Sequence, residues 1–273
     1  MRMVLPIEKG DQIMKIGLIG YGNIGRFLLQ SINQNNLIKD GRITVISGRN
    51  PEHGQMIAEE YGAEYVQDVN QLIEKDVDIV IEAATVEVVK KHAAAILRSG
   101  KDFLVISVGA LADRSFYEQL HMICEQSRVK LLLPSGAIGG LDILKAAKSI
   151  GQLETVSITT RKPPKALPGA PLEEETVLFS GCAEEAIQRF PQNINVSIIL
   201  SLAGIGPAKT FVTIIADPKS EKNSHSIVAS GSFGKLSLNV ENDPMPNNPK
   251  TSYLAALSVI STLQNKDALI QVG

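Results

Sequence analysis

Short apolar runs alternate with amphipathic segments from residue 14 to about residue 134. The runs at 15–19, 43–47, 79–83, 103–108 and 130–133 have strand length, and the segments at 24–33, 56–61, 86–98 and 114–126 carry apolar residues at helical spacing. Strands alternating with helices predict a parallel, doubly wound sheet with right-handed crossovers. The texture changes after Gly140. Residues 155–161 and 210–215 are β-branched runs, and 225–230 and 235–240 alternate in period two. They predict a second unit with a mainly antiparallel sheet. Residues 162–175, rich in proline and glutamate, read as an exposed loop, and 251–263 read as a closing helix that starts behind Pro249 and Thr251.

The predicted architecture is α/β: an N-terminal doubly wound Rossmann domain over 14–136 and a second α+β domain over 137–248. The segment 249–273 is expected to pack back on the first domain. Residues 1–13 carry Glu8, Lys9, Gly10 and Asp11, lack a signal-peptide core, and read as a frayed extension with no role in the fold.

Between the first run and the first helix lies Gly20-Tyr21-Gly22-Asn23-Ile24-Gly25. A glycine turn from a buried strand into a helix is the context the dinucleotide fingerprint requires. Gly20 permits the tight turn, Gly22 lets backbone approach a pyrophosphate, and Gly25 lets helix pack on strand. Asn23 and Ile24 then open the helix, whose free N–H groups and dipole favour phosphate. Ligands of such sheets bind beyond the carboxyl ends of the strands. Those ends carry small residues throughout, among them Ala84, Ala110 and Ala137.

At the end of the second run an acidic residue normally meets the adenosine ribose. Here Gly48-Arg49 stands there. Without the carboxylate nothing repels a 2′-phosphate, and an arginine can clamp one, so NADP is tolerated or preferred over NAD. The competing reading of Arg49 is a solvated loop residue.

Composition narrows the class. With 44% hydrophobic and 21% charged residues the chain is globular, and a net charge of −2 gives no basic field for nucleic acid or an anionic membrane surface. No apolar run approaches the ~18–20 residues that span a bilayer. The two cysteines, Cys124 and Cys182, lack metal-ligand spacing and read as reduced thiols of a cytoplasmic protein, with no metal site.

Four histidines are present. His53, His92 and His121 read as surface or helix-packing residues, whereas His225 starts a strand after a polar turn. Alone, it would read as a solvated loop histidine. Asn193 or Asn195 either caps the apolar segment that follows or binds a carboxamide. Lys250, Thr251 and Ser252 either cap the last helix or trap a carboxylate at its N-terminus, and Arg161 is a further cation for that purpose.

These stretches together resemble the L-aspartate dehydrogenases, whose architecture is akin to dihydrodipicolinate reductase. The matching residues are Gly20–Gly25, 107–113 (SVGALAD), 134–140 (PSGAIGG), 160–164 (TRKPP), 190–196 (FPQNINV), 201–204 (SLAG), 223–225 (NSH) and 248–252 (NPKTS), in the family's order and over nearly the whole chain. The resemblance implies oxidation of L-aspartate to iminoaspartate with hydride passed to NAD or NADP. The imine then yields oxaloacetate and ammonia or feeds NAD biosynthesis, and the reverse reaction is reductive amination. It also implies that Ala137 and Asn195 contact the cofactor, that His225 is the catalytic residue, and that the chain is a homodimer. The family's Asp-Arg pair is replaced here by Gly48-Arg49. Two competing readings are a reductase of another imine, whose histidine- and lysine-bearing motif is absent here, and a catalytically inactive NAD(P) sensor.

Overall fold

The structure is a computed structural model that describes residues 13–167, 169–190, 194–245 and 248–270, with backbone alone at 248–250. The leader up to residue 12 and Asn193 lie outside these residues.

The first sheet is built from β1 (Met14–Ile19), β2 (Gly41–Ser47), β3 (Glu64–Val66), β4 (Ile79–Glu82), β5 (Asp102–Val105) and β6 (Leu131–Leu132). Its order is β3-β2-β1-β4-β5-β6, and every pairing is parallel. The chain therefore winds outward twice from β1, and the switch point falls between β1 and β4. Helices α1 (Asn23–Leu29), α2 (Pro51–Tyr61), α3 (Val69–Glu74), α4 (Val86–Arg98) and α5 (Arg114–Ser127) make the crossovers. All four residues of β4 are buried, as expected of a central parallel strand covered on both faces. On one face Ile16, Leu18, Ile46, Ile79 and Ile81 pack with Leu28 of α1 and Ile57 of α2. On the other, Ile19, Val80, Phe103 and Val105 pack with Leu72, Ile96 and Leu120.

The second sheet follows α6 (Leu141–Ser149) and comprises β7 (Leu153–Lys162), β8 (Thr176–Cys182), β9 (Phe211–Ala216), β10 (Asn223–Gly231) and β11 (Gly234–Asn242). Its order is β11-β10-β7-β9-β8. The sheet is mixed: β7 and β9 run parallel, and the other pairings are antiparallel. The parallel pair arises because β8, α7 (Ala183–Arg189) and α8 (Asn195–Ala203) intervene and return the chain alongside β7. Val156 and Ile158 of β7 join Ile198 and Leu200 of α8 in the same core that lines the first sheet. The two sheets thus share apolar packing.

The C-terminal region departs from the predicted start of its helix. Asn248–Ser252 forms a short strand, β13, against β12 (Pro244–Met245), and α9 runs from Tyr253 to Asn265. Val259, Ile260 and Leu263 of α9 bury against Ile16, Leu28 and Ile32, and the Tyr253 ring meets Phe27 edge-on.

Candidate functional site

A cleft of about 1110 Å³ opens beyond the carboxyl ends of β1, β2 and β4. Gly20 and Gly22 floor it, Ser47, Gly48, Arg49 and Asn50 form one wall, and Ala83, Ala84 and Thr85 form the other. Gly20 has φ of 93°, and a Cβ there would meet the Ala83 carbonyl oxygen at 2.5 Å. A Cβ on Gly25 would lie 2.1 Å from the Gly20 carbonyl oxygen, so the close approach of α1 to the turn demands glycine. Gly22 differs: its φ is −69°, and a Cβ there would meet nothing within 4 Å. No protein atom explains that glycine, and it N-caps α1 without a side-chain cap. Open space over a bare helix N-terminus fits a dinucleotide pyrophosphate.

The missing acid at the end of β2 has a steric cause. A Cβ on Gly48 would sit 2.4 Å from the Tyr21 ring, which is held there by its hydroxyl donating to the Asn50 carbonyl oxygen at 2.6 Å. Asn50 caps α2 by accepting from the His53 N–H at 3.1 Å. Arg49 is exposed in the cleft wall, and His53, which contacts the Arg26 guanidinium, lines the cleft with it. His92 is buried and also lines the cleft, so it is a packing residue of α4 whose imidazole burial pushes below its ordinary pKa.

Glu82 closes β4 and is fully buried. Its Oε1 accepts from the Ala84 N–H at 2.7 Å and the Ser107 hydroxyl at 2.8 Å, and its Oε2 accepts from the Ser107 N–H at 3.0 Å. Burial holds the carboxyl pKa above its ordinary value, although the convergent donors oppose that shift. One carboxylate thereby ties the end of β4 to the short 3₁₀ turn Val108–Ala112 that contains buried Ala110. Asn195, half-buried at the start of α8, accepts from the Gly109 N–H at 3.1 Å and joins the second unit to that turn.

A second polar group gathers at one end of the second sheet. His225 is 2% exposed, and its Nδ1 lies 3.0 Å from the Thr160 hydroxyl directly across β7. Lys162, 7% exposed, lies two residues further along the same face of β7. Burial first, and then the Lys162 charge, push the His225 imidazole down to about 3. Burial lowers Lys162 itself to about 8. Asn223 and Asn242 are paired across β10 and β11, both buried, and the Oδ1 of each has no hydrogen-bond partner among the described residues. Asn242 donates to the Ala137 carbonyl oxygen at 3.1 Å, and Asn223 donates to the Ser252 hydroxyl at 3.3 Å. Those bonds bring β11 against the loop after β6, and the His225 strand β10 against the start of α9.

The structure does not bring Arg161 to this group. It alternates to the opposite face of β7 from Thr160 and Lys162, where Glu175 and Asp217 engage its guanidinium, the latter at 2.9 Å. Thr251 is half-buried beside Ser252, and the Lys250 side chain lies outside the described residues. Three residues escaped the sequence reading: Glu82, Thr160 and Lys162. An acid ending an apolar run was a legible signal for Glu82. For Lys162 the signal was hidden, because the strand continues to Lys162 where prolines predicted a loop.

A doubly wound sheet with a glycine-floored cleft, joined to a mixed sheet bearing a buried histidine, defines a dinucleotide-dependent dehydrogenase. Residues 20–134 match the family described as homoserine dehydrogenase, NAD binding domain, and residues 142–266 match aspartate dehydrogenase, C-terminal. The L-aspartate dehydrogenase of Methanosarcina barkeri is 40% identical over 96% of this chain and 100% of its own. That of Nitrosopumilus maritimus is 41% identical over 92% of this chain and 95% of its own. The crystal structure of aspartate dehydrogenase from Thermotoga maritima superposes with a TM-score of 0.76 at 32% identity, covering 95% of this chain and 99% of that one. The chain belongs to the L-aspartate dehydrogenase family.

Proposed function

We propose that this chain oxidises L-aspartate to iminoaspartate with NAD or NADP, and that it runs the reverse amination of oxaloacetate with ammonia. The observation that carries this reading is the buried His225–Thr160 pair at 3.0 Å, on β10, whose neighbour β11 bonds through Asn242 to the Ala137 loop at the edge of the first sheet. When bound, the nicotinamide supplies the hydride acceptor. Gly20 and Gly22, which line the cleft, hold the pyrophosphate with Asn23, Ile24 and Gly25 beside them. Ala84 lines the cleft wall, Ala110 and Ala137 are buried small residues outside that lining that leave room along the strand ends, and the Asn195 amide, its Oδ1 fixed by Gly109, offers Nδ2 to the cofactor. Arg49 meets the adenosine ribose and admits a 2′-phosphate.

Loss of hydride from an amine needs the amine neutral, so a base must take its proton. With Nδ1–H donating to the Thr160 oxygen, the His225 Nε2 carries a lone pair and is that acceptor. Thr251, Ser252 and Lys250 supply donors for a substrate carboxylate. Residues 14–136 form the cofactor unit, 137–248 the substrate unit, and 249–273 return to the first. β11 is an edge strand with an exposed face, which supports a homodimer; the reaction supports a cytoplasmic place, feeding pyridine nucleotide synthesis. The deciding assay follows oxidation of NADH and NADPH with oxaloacetate plus ammonium against oxaloacetate alone. Ammonium-dependent oxidation is expected. Oxidation that ignores ammonium would overturn the reading.

A further inference from the structure

Among the described residues Lys162 is the one buried lysine or arginine, and a chain of this net charge has no need of it for solubility. Removing an ammonium from water is unfavourable by several kcal/mol, and this one is placed among other buried polar groups. It ends β7 on the face that carries Thr160, one step past the point where Arg161 pairs with Ser224, and so comes level with Asn223. Asn223, His225 and Asn242 crowd the same end of the sheet, with two amide oxygens lacking donors among the described residues.

Resting on the aspartate reading above, we propose that Lys162 is a substrate-binding residue, the cation that receives one carboxylate of the dicarboxylate beside His225. An ammonium and a carboxylate form a charge-assisted hydrogen bond, and the unpaired Asn oxygens accept from the substrate amine. The pairing has a consequence for the base. The Lys162 charge depresses the His225 imidazole, and a carboxylate that neutralises this charge makes the imidazole more basic only while substrate is present.

Binding is then linked to protonation of Lys162. Without substrate, burial lowers the group to about 8; an anion beside it raises that value, so affinity is full below about 8 and falls as pH rises above it. No other titratable group shares its face among the described residues of neighbouring strands except His225. β9 places Ile214 and Ala216 level with Thr160 and Lys162, while Arg161, Glu175, Asp217 and, on β11, Lys235 and Glu241 belong to the opposite face.

The test is calorimetric titration with succinate at saturating oxidised cofactor. Succinate has two carboxylates and no amine, so its charge is constant above neutrality and no turnover is needed. Lys162→Met should weaken succinate at neutral pH by ~10-fold or more, and Lys162→Arg should recover most of that, with cofactor affinity unchanged in both. Wild-type affinity should fall with pH above about 8, and the arginine variant should show no such fall. Unchanged succinate affinity in the methionine variant would overturn the proposal, as would a wild-type affinity independent of pH. The wild-type arm decides alone if the methionine variant does not fold. Lys162-dependent succinate binding without aspartate turnover would sustain this proposal while overturning the assigned reaction.

Discussion

Glu82→Gln is a near-isosteric change whose cost can be worked from the hydrogen bonds. Each carboxylate oxygen of Glu82 accepts from a backbone N–H, Oε1 from Ala84 and Oε2 from Ser107. An amide has one acceptor oxygen. Whichever way it is turned, its NH₂ faces a backbone N–H, so that N–H and the amide N–H aimed at it are two buried donors without an acceptor. A buried donor left unsatisfied costs about 1–3 kcal/mol, and one of the two can relax toward the Ser107 hydroxyl, so the net loss is about 2–4 kcal/mol. For a chain of this size that lowers Tm by roughly 5–15 °C. Ser107→Ala removes only the hydroxyl donor and should cost about 1 kcal/mol. Because Ala84 lines the cleft and Ser107 leads into the Ala110 turn, NADP affinity in Glu82→Gln should fall as well. Thermal unfolding and fluorescence titration of NADPH read both effects. A glutamine variant as stable as wild type would refute the reasoning, since it would mean the group is buried as the neutral acid.

His225→Ala should leave cofactor affinity nearly unchanged and cut kcat by ~10²-fold or more; unaltered turnover would remove His225 from the reaction. Arg49→Ala should weaken NADP and spare NAD, whereas equal loss for both would mean Arg49 does not read the 2′-phosphate. His225 also makes a stability prediction in acid. Its folded value of about 3 lies below the ordinary imidazole value, so between the two the unfolded chain binds a proton that the folded chain does not. Stability contributed by the neutral imidazole is full above ~6.5 and declines as pH falls toward about 3, and His225→Asn should flatten that part of a denaturation profile against pH.

The first sheet was legible because its strands are apolar throughout and its turns are marked by glycine. A run such as 79–82 has one buried solution in a parallel sheet, and the sequence reading placed it within a residue or so. The short β3 and α3 were not read, since three and six residues give too little periodicity to count. β8 was missed for a different reason. It borders β9 as an edge strand, with Val177 exposed, so it lacks the alternation that marks half-buried strands. Of the site, glycine chemistry exposed the cleft floor, because φ of 93° at Gly20 and the contact at Gly25 are constraints on single residues. The other end depends on register. Thr160 meets His225 only once β7 and β10 pair antiparallel, and nothing local to either strand fixes that offset. Arg161 and Lys162 are adjacent, and which of them faces the site follows from the pleat alone.

That pleat separates two kinds of polar residue, and the separation bears on what the site is for. On the outer face Arg161 is answered by Glu175 and Asp217, a closed set of charges that needs no ligand. On the inner face Asn223 and Asn242 stand opposite each other with two Oδ1 atoms unanswered among the described residues, and each costs about 1–3 kcal/mol relative to a paired acceptor. Folding alone would favour apolar residues at both positions, as at Ile227 and Ala229 further along the same face of β10. Unanswered acceptors next to a buried imidazole and a buried ammonium are stabilised by a molecule that brings N–H donors and a negative charge together. An amino dicarboxylic acid has both on adjoining carbons. A keto acid has the charge and no donor, so the same acceptors disfavour direct reduction of the ketone and favour the amine or iminium form as the species that the site receives.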